Sequence, residues 1–102
     1  MYSAELFSRS GFKIVRDPDE SLSYSDLTDG ERESLAKAEH GRWVSERVKD
    51  GWIPGKRDDS RKRHDCIAAW DDLTDEVKAY DYQAIENLFK SYEEGGYYVA
   101  RV

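Results

Sequence analysis

Glu39-His40-Gly41-Arg42-Trp43-Val44, then Gly51-Trp52-Ile53-Pro54-Gly55-Lys56-Arg57-Asp58-Asp59, then His64-Asp65-Cys66-Ile67, closed by Trp70, is the stretch on which the fold turns. Its first residues continue a helical pattern, Gly51 stops that pattern, and a mostly charged loop runs on toward the next helix signal at Thr74. Folding alone does not call for Trp, His and Arg at this density in a charged loop, so a function is expected here.

Working outward, Asp26-Leu27-Thr28-Asp29 and Asp71-Asp72-Leu73-Thr74-Asp75 are near copies, each with an aromatic residue in front (Tyr24, Trp70) and a helical pattern behind. Both are N-cap signals: the threonine hydroxyl accepts from exposed backbone N–H groups, and the acids that follow favour the positive end of a helix. The spacing predicts one helix over about residues 29–50 and a second over about 75–94, the latter stopped by Gly95. On a 3.6-residue wheel Ala36, His40, Trp43, Val44, Arg47 and Val48 share a broad face of the first helix, with Leu35 at its edge. Val77, Tyr80, Ala84, Ile85, Leu88, Phe89 and Tyr92 form the apolar face of the second, with Asp81 in its middle. A lone carboxylate there is costly to desolvate, which predicts a donor from the first helix, Arg47 or His40, as its polar partner.

The termini are β-prone. Gly11-Phe12-Lys13-Ile14-Val15 alternates and ends at Asp17-Pro18-Asp19, and Tyr97 to Val102 follows Gly95-Gly96, so the two segments are expected to pair as a small ribbon beside the helices. Residues 1–24 read as an N-terminal extension and 25–102 as the domain proper.

A chain of 102 residues with 38% apolar and 13% aromatic residues supports one modest core, so a ligand is expected in a surface cleft or at a subunit boundary. The formal charge of −6 argues against general affinity for nucleic acid, which needs basic surface to release counterions. Yet Lys56, Arg57, Arg61, Lys62 and Arg63 are opposed locally only by Asp58 and Asp59, a basic patch suited to a small anion or an acidic partner. One cysteine cannot form an intramolecular disulfide, and no apolar run is long enough for a membrane span or a signal peptide, so the expected location is cytoplasmic with no membrane contact. Cys66 with His40 and His64 lacks the four-ligand pattern of a structural zinc site, so neither metal nor cofactor is expected.

Each residue that could carry chemistry also has a plain structural role. Trp43, Trp52 and Trp70 could all be core anchors of a small helical hairpin; alternatively at least one ring faces a planar ligand, with Arg57, Arg61 and His64 adding anion attraction. Asp58 and Asp59 are read first as turn caps paired with Arg57, because two carboxylates do not supply the six or more oxygens of a calcium site. Cys66 beside Ile67 is read as a small apolar residue and His40 as a satisfied core histidine before either is read as nucleophile or base. No phosphate-cradling glycine loop is present, so any nucleotide binding must use side chains.

The order and spacing Glu39-His40-x-x-Trp43-Val44, Gly51-Trp52-x-x-Gly55-x-Arg57-Asp58-Asp59, His64-x-Cys66-Ile67, Trp70 and Leu73 resembles the repeat domain of ryanodine receptors, the RyR domain, which also occurs as short free-standing prokaryotic proteins. The resemblance covers about residues 31–98. Asp65 stands where the family usually has Pro before Cys, and Tyr82 where it often has Arg after Asp81. The resemblance implies a pocket able to hold an adenine nucleotide among Trp residues. It also implies copies packed about an approximate two-fold, which a single copy would recreate by forming a homodimer.

The expected architecture is therefore mainly α: an antiparallel helix pair with a long ordered connecting loop and a short terminal β element, RyR-domain-like. The expected function is non-enzymatic recognition of a small anionic ligand, an adenine nucleotide being one candidate, by Trp43, Trp52, Arg57, Asp58, His64 and Trp70, with His40, Arg47 and Asp81 as a structural polar group. The alternative is an interaction or dimerisation module without a small-molecule ligand. A hydrolase using Asp58, Asp59 or the His64 and Cys66 pair has the least support, since no nucleophile and base pair stands out.

Overall fold

Two threonine caps set the frame. In the computed structural model, which describes residues 2–102, the hydroxyl of Thr28 accepts from the Glu31 amide at 3.1 Å while the Glu31 carboxylate accepts from the Thr28 amide at 2.9 Å. This reciprocal pair satisfies two donors at the start of helix α2, Asp29–Lys49. Thr74 accepts from the Val77 amide at 3.2 Å and starts α3, Asp75–Glu94. Both boundaries lie within a residue of those the sequence predicts.

A further helix, α1, covers Tyr2–Arg9 and leads into strand β1, Phe12–Val15. Strand β4, Tyr98–Arg101, pairs antiparallel with β1, Phe12 opposite Arg101 and Ile14 opposite Val99, so the two termini do form a ribbon. The Leu22 amide adds a bond to the Val99 carbonyl at 2.8 Å on the far edge of β4. A second ribbon is made of two-residue strands, β2 (Ile53–Pro54) and β3 (Arg63–His64), which run parallel. The protein is thus mainly helical with a small β component, and no helix is long and apolar enough to cross a membrane.

The core lies where α1, the terminal ribbon, α2 and α3 meet. Phe7, Phe12, Leu27, Leu35, Ile85, Phe89 and Val99 are buried there, and the Phe7 ring meets Phe12, Phe89 and Tyr92 edge-on with centroids 6.4, 5.5 and 5.8 Å away. Residues 1–24 are therefore not an appendage. Leu6, Phe7 and Phe12 supply apolar area that α2 and α3, each carrying a narrow apolar stripe, cannot supply alone. The short α1 went unread because eight residues with mixed polarity carry little periodic signal.

Two positions of the helical faces depart from expectation. Val48 is 53% exposed and Tyr80 is 77% exposed. α2 outruns the core at its C-terminal end, and Tyr82, two residues on, is the tyrosine that turns inward to meet Trp70 edge-on at 5.9 Å. Glu39, on the other hand, is buried and held by the Arg42 guanidinium through both carboxylate oxygens.

Glu31 also receives Arg101 of β4, with Nε and one terminal nitrogen donating to its two oxygens at 2.9 Å each. That bidentate pair first, and the Thr28 amide second, hold the Glu31 carboxyl at about 2 against an ordinary 4.5. A depressed folded-state value means that Glu31 contributes stability above pH 4.5 and loses it as the pH falls toward 2. Glu31→Gln is expected to flatten the acid limb of chemical-denaturation stability between those pH values and to leave the profile above them unchanged in slope. An acid limb identical to the parent's would remove this ion pair from the account.

Candidate functional site

Trp43 and Arg47 are four residues apart and share one face near the end of α2. The helix stops because Gly51 takes a left-handed backbone, φ 88°, which lets the next residue fold back: the Trp52 amide donates to the Arg47 carbonyl at 2.9 Å. Lys62 then donates through Nζ to the Asp50 carbonyl at 2.8 Å, a cation at the negative end of the helix. The β2–β3 ribbon, with Ile53 N–H to Lys62 O at 2.9 Å and Gly55 N–H to His64 O at 3.3 Å, carries His64 back to the two indoles. Its imidazole stands edge-on to Trp43 at 5.1 Å and tilted to Trp52 at 6.3 Å.

These elements enclose a shallow cleft of about 390 Å³ lined by Trp43, Arg47, Trp52, Arg57, Asp59 and His64. That volume lies within the range of small-molecule sites. The guanidinium carbon of Arg47 sits 5.4 Å from the Trp43 centroid and 5.5 Å from that of Trp52, cation–π contact with both rings. Among the described residues no carboxylate comes within ion-pair distance of Arg47. Its neighbours are engaged: Arg42 with Glu39 and Glu46, Arg57 with Asp59 at 3.2 Å, Arg61 with Asp58 at 3.7 Å. Two indoles thus hold a guanidinium in place while leaving its N–H donors uncommitted, in a protein of net charge −6.

Beneath the cleft His40 acts as a strut. A carbonyl can only accept, so His40 Nε2 donates to Ala68 O at 2.8 Å, and its other nitrogen, Nδ1, faces Asp81 of α3 at 3.7 Å, ion-pair range beyond a hydrogen bond. The His40 ring stacks on Trp43, 6.1 Å between centroids at 21°, and tilts against Trp70 at 6.2 Å. Asp81 is only 16% exposed, and burial raises its carboxyl above the usual range, with His40 pulling it down and Glu39 pushing it up again.

Of the residues expected in the site, the structure brings Trp43, Trp52, Arg57 and His64 together. Trp70 is elsewhere: 4% exposed, with Nε1 donating to Glu33 at 3.4 Å and Lys78 over its face at 5.2 Å, it is a core anchor at the foot of α3. Asp58 does not line the cleft either. Its carboxylate accepts from Ser60 at 2.7 Å, its backbone exchanges two 3.0 Å bonds with Arg63, and its charge goes to closing the loop. The cleft acid is Asp59. Arg47 is not the partner of Asp81, a place filled by His40; one helical turn beyond Trp43, it reaches the indoles instead. The signal for Arg47 was present in the i, i+4 spacing from Trp43, and was lost because the wheel alone does not show that Trp52 returns over the same turn.

The His64-Asp65-Cys66 turn closes the loop. The Cys66 amide donates to His64 Nδ1 at 3.0 Å. Burial first, and the Asp65 carboxylate second, push the Cys66 thiol up, so it stays protonated at neutral pH, the opposite of an activated thiolate.

The family model described as RyR domain matches residues 22–101 of the 102, and the chain belongs to the RyR domain family. The matched span contains the full cleft, α2, α3 and β4, and omits α1 and β1, whose side chains complete the core.

The two kinds of tryptophan separate in a stability measurement. Trp70→Ala removes a buried anchor and should cost about 3–5 kcal/mol. Trp52→Ala removes a half-exposed cleft wall and should cost about 1–2 kcal/mol with the fold retained. Urea denaturation of both variants tests the order, and equal losses would place Trp52 in the core.

Proposed function

We propose that this RyR domain is a non-enzymatic binding module that takes a small planar anion in the cleft of Trp43, Arg47, Trp52, Arg57 and His64, with an adenine nucleotide as the leading candidate. The observation that carries the reading is Arg47: a guanidinium within cation–π distance of two indoles with no carboxylate partner among the described residues. A base stacked on Trp52 or Trp43 gains about 1–3 kcal/mol, and a phosphate placed against Arg47 and Arg57 gains charge-assisted hydrogen bonds. Asp59 then exchanges its exposed pair with Arg57, which holds little energy, for hydroxyl or amino donors of the ligand. The protonated thiol of Cys66 supports a non-catalytic role. The reading includes action in the cytoplasm, no role in nucleic-acid or membrane binding, and an antiparallel sense for α2 and α3 in the RyR-domain manner. In support of the last, the start of α2 is tied through Glu31 to Arg101 on the strand that follows α3.

A second reading, an interaction module that pairs two copies of the chain, draws on exposed apolar side chains: Val48 and Ile53, about half exposed, and Tyr80 on α3.

Calorimetry with ATP, ADP, ADP-ribose and cyclic nucleotides decides between them. The expected result is weak to moderate binding that declines with added salt, reduced roughly ten- to a hundredfold by Arg47→Ala, Arg57→Ala or Trp52→Ala, in line with about 1.5–3 kcal/mol per charge-assisted contact. Arg47→Lys keeps the charge but not the flat donor fork, and should fall between parent and Ala. Absence of heat and of thermal shift with every nucleotide at millimolar concentration, with a concentration-dependent elution volume on gel filtration, would put the pairing module in front.

A further inference from the structure

The turn that follows β3 gathers three different metal-ligating side chains at one point. Ligand atoms of His64, Asp65 and Cys66 all lie within 4.8 Å of one another. His64 Nδ1 is 3.3 Å from Asp65 Oδ1, and the same nitrogen accepts the Cys66 amide hydrogen at 3.0 Å. The single in-plane lone pair of Nδ1 is held by that amide, so an ion binding there exchanges the Cys66 N–H···Nδ1 bond for a metal–nitrogen bond, with the Asp65 carboxylate and the Cys66 sulfur beside it.

We propose that His64, Asp65 and Cys66 bind a thiophilic divalent transition-metal ion of the Zn²⁺ class. Imidazole, carboxylate and thiolate are each zinc ligands, and the sulfur selects against Mg²⁺ and Ca²⁺, which take oxygen. Tetrahedral coordination with metal–ligand bonds of about 2.0–2.3 Å sets neighbouring donors roughly 3.3–3.6 Å apart. The His64–Asp65 edge already has that length, and the remaining edges, none longer than 4.8 Å, close by side-chain adjustment once the Cys66 amide gives up His64 Nδ1. Binding replaces the thiol proton of Cys66, which leaves to solvent, by a metal–sulfur bond, with no redox change. Asp65 is exposed and His64 and Cys66 half-buried, so the ion has a path in, and three protein donors leave a fourth position for water or an added ligand. The site is separate from the anion-binding reading. His64 touches both, whereas Asp65 and Cys66 do not line the cleft.

Titration of the full chain, freed of metal by chelator, with Co²⁺ and Zn²⁺ tests the assignment. The expected result is one Co²⁺ per chain with a near-ultraviolet thiolate-to-metal band and visible d–d bands of tetrahedral intensity, both displaced by Zn²⁺ and unaffected by Mg²⁺ or Ca²⁺. Cys66→Ser should abolish the thiolate band, and Asp65→Ala should weaken Co²⁺ binding at least tenfold, each variant first shown by circular dichroism and thermal melting to be folded. Absence of a thiolate band in the parent overturns the site. So does unchanged affinity in Asp65→Ala, which would reduce the triad to a cysteine and a histidine. Should Asp65→Ala lose its fold, Asp65→Asn, which keeps the shape and removes the anionic donor, carries the same expectation and the same overturning result.

Discussion

The hydrogen bond from His40 Nε2 to the Ala68 carbonyl is the constraint on which the functional half of the molecule depends. It joins residue 40, in the middle of α2, to Ala68, which lies between the buried Ile67 and Trp70 where the long loop re-enters the core. Two other polar ties of the loop to α2, the Trp52 amide on the Arg47 carbonyl and Lys62 on the Asp50 carbonyl, both lie at the helix end, whereas this bond holds the loop to the middle of α2. Because the bond uses Nε2, the opposite nitrogen is turned to Asp81 and the ring plane is set against Trp43 and Trp70. One side chain thereby fixes the loop, the second long helix and the inner wall of the cleft. Asp81 faces that imidazole at 3.7 Å, and burial, the largest influence on it, raises its carboxyl above the usual range although His40 lowers it in part.

Charge is spent unevenly over the structure, and the pattern separates scaffold from cleft. At the start of α2 every nearby guanidinium meets a carboxylate: Arg32 with Asp29, Arg101 with Glu31, and further along Arg42 with Glu39 and Glu46. These pairs tie helix to helix turn or helix to strand. At the other end of α2 the exchange stops, and Arg47 meets only aromatic faces. Cation–π contact holds the guanidinium through its flat faces and leaves its edge free, whereas a carboxylate takes up the edge. The cleft is therefore a place where a positioned guanidinium has no carboxylate partner among the described residues, and its other arginine, Arg57, holds only a weak, exposed pair with Asp59.

How far the sequence could be read follows from where its signals are local. Thr28 and Thr74 announce helix starts through chemistry contained within four residues, and both helices begin where those caps stand. The terminal ribbon was legible because Phe12–Val15 alternates between Gly11 and the Asp17-Pro18-Asp19 turn, and Tyr98–Arg101 is rich in β-prone residues after Gly95-Gly96. The β2–β3 ribbon and α1 were not, since two-residue strands and an eight-residue helix of mixed polarity have almost no period. In the site, Trp43, Trp52, Arg57 and His64 were legible as a cluster of uncommon residue types. The exchange of Asp58 for Asp59 was not, because neighbouring residues in a loop point in directions set by backbone hydrogen bonds, here the pair of bonds between Asp58 and Arg63. Trp70 was misplaced for a related reason: a tryptophan at a loop's end is equally a wall or an anchor until the depth of the helix that follows is known.

His64 is the point at which loop and cleft become one object. Its ring stands against both Trp43 and Trp52, while its Nδ1 is taken by the amide of Cys66, two residues on. The ring can turn only if that amide is released, and the amide belongs to the turn that delivers Ile67 to the core, whose own amide is bonded to the His64 carbonyl at 3.3 Å. The orientation of the cleft's third aromatic wall is thus set from beneath, by the same descent of chain that His40 holds at Ala68. A cleft whose aromatic surfaces are fixed by buried backbone bonds loses little side-chain freedom when occupied, and that is the property by which a small site gains affinity without large contact area.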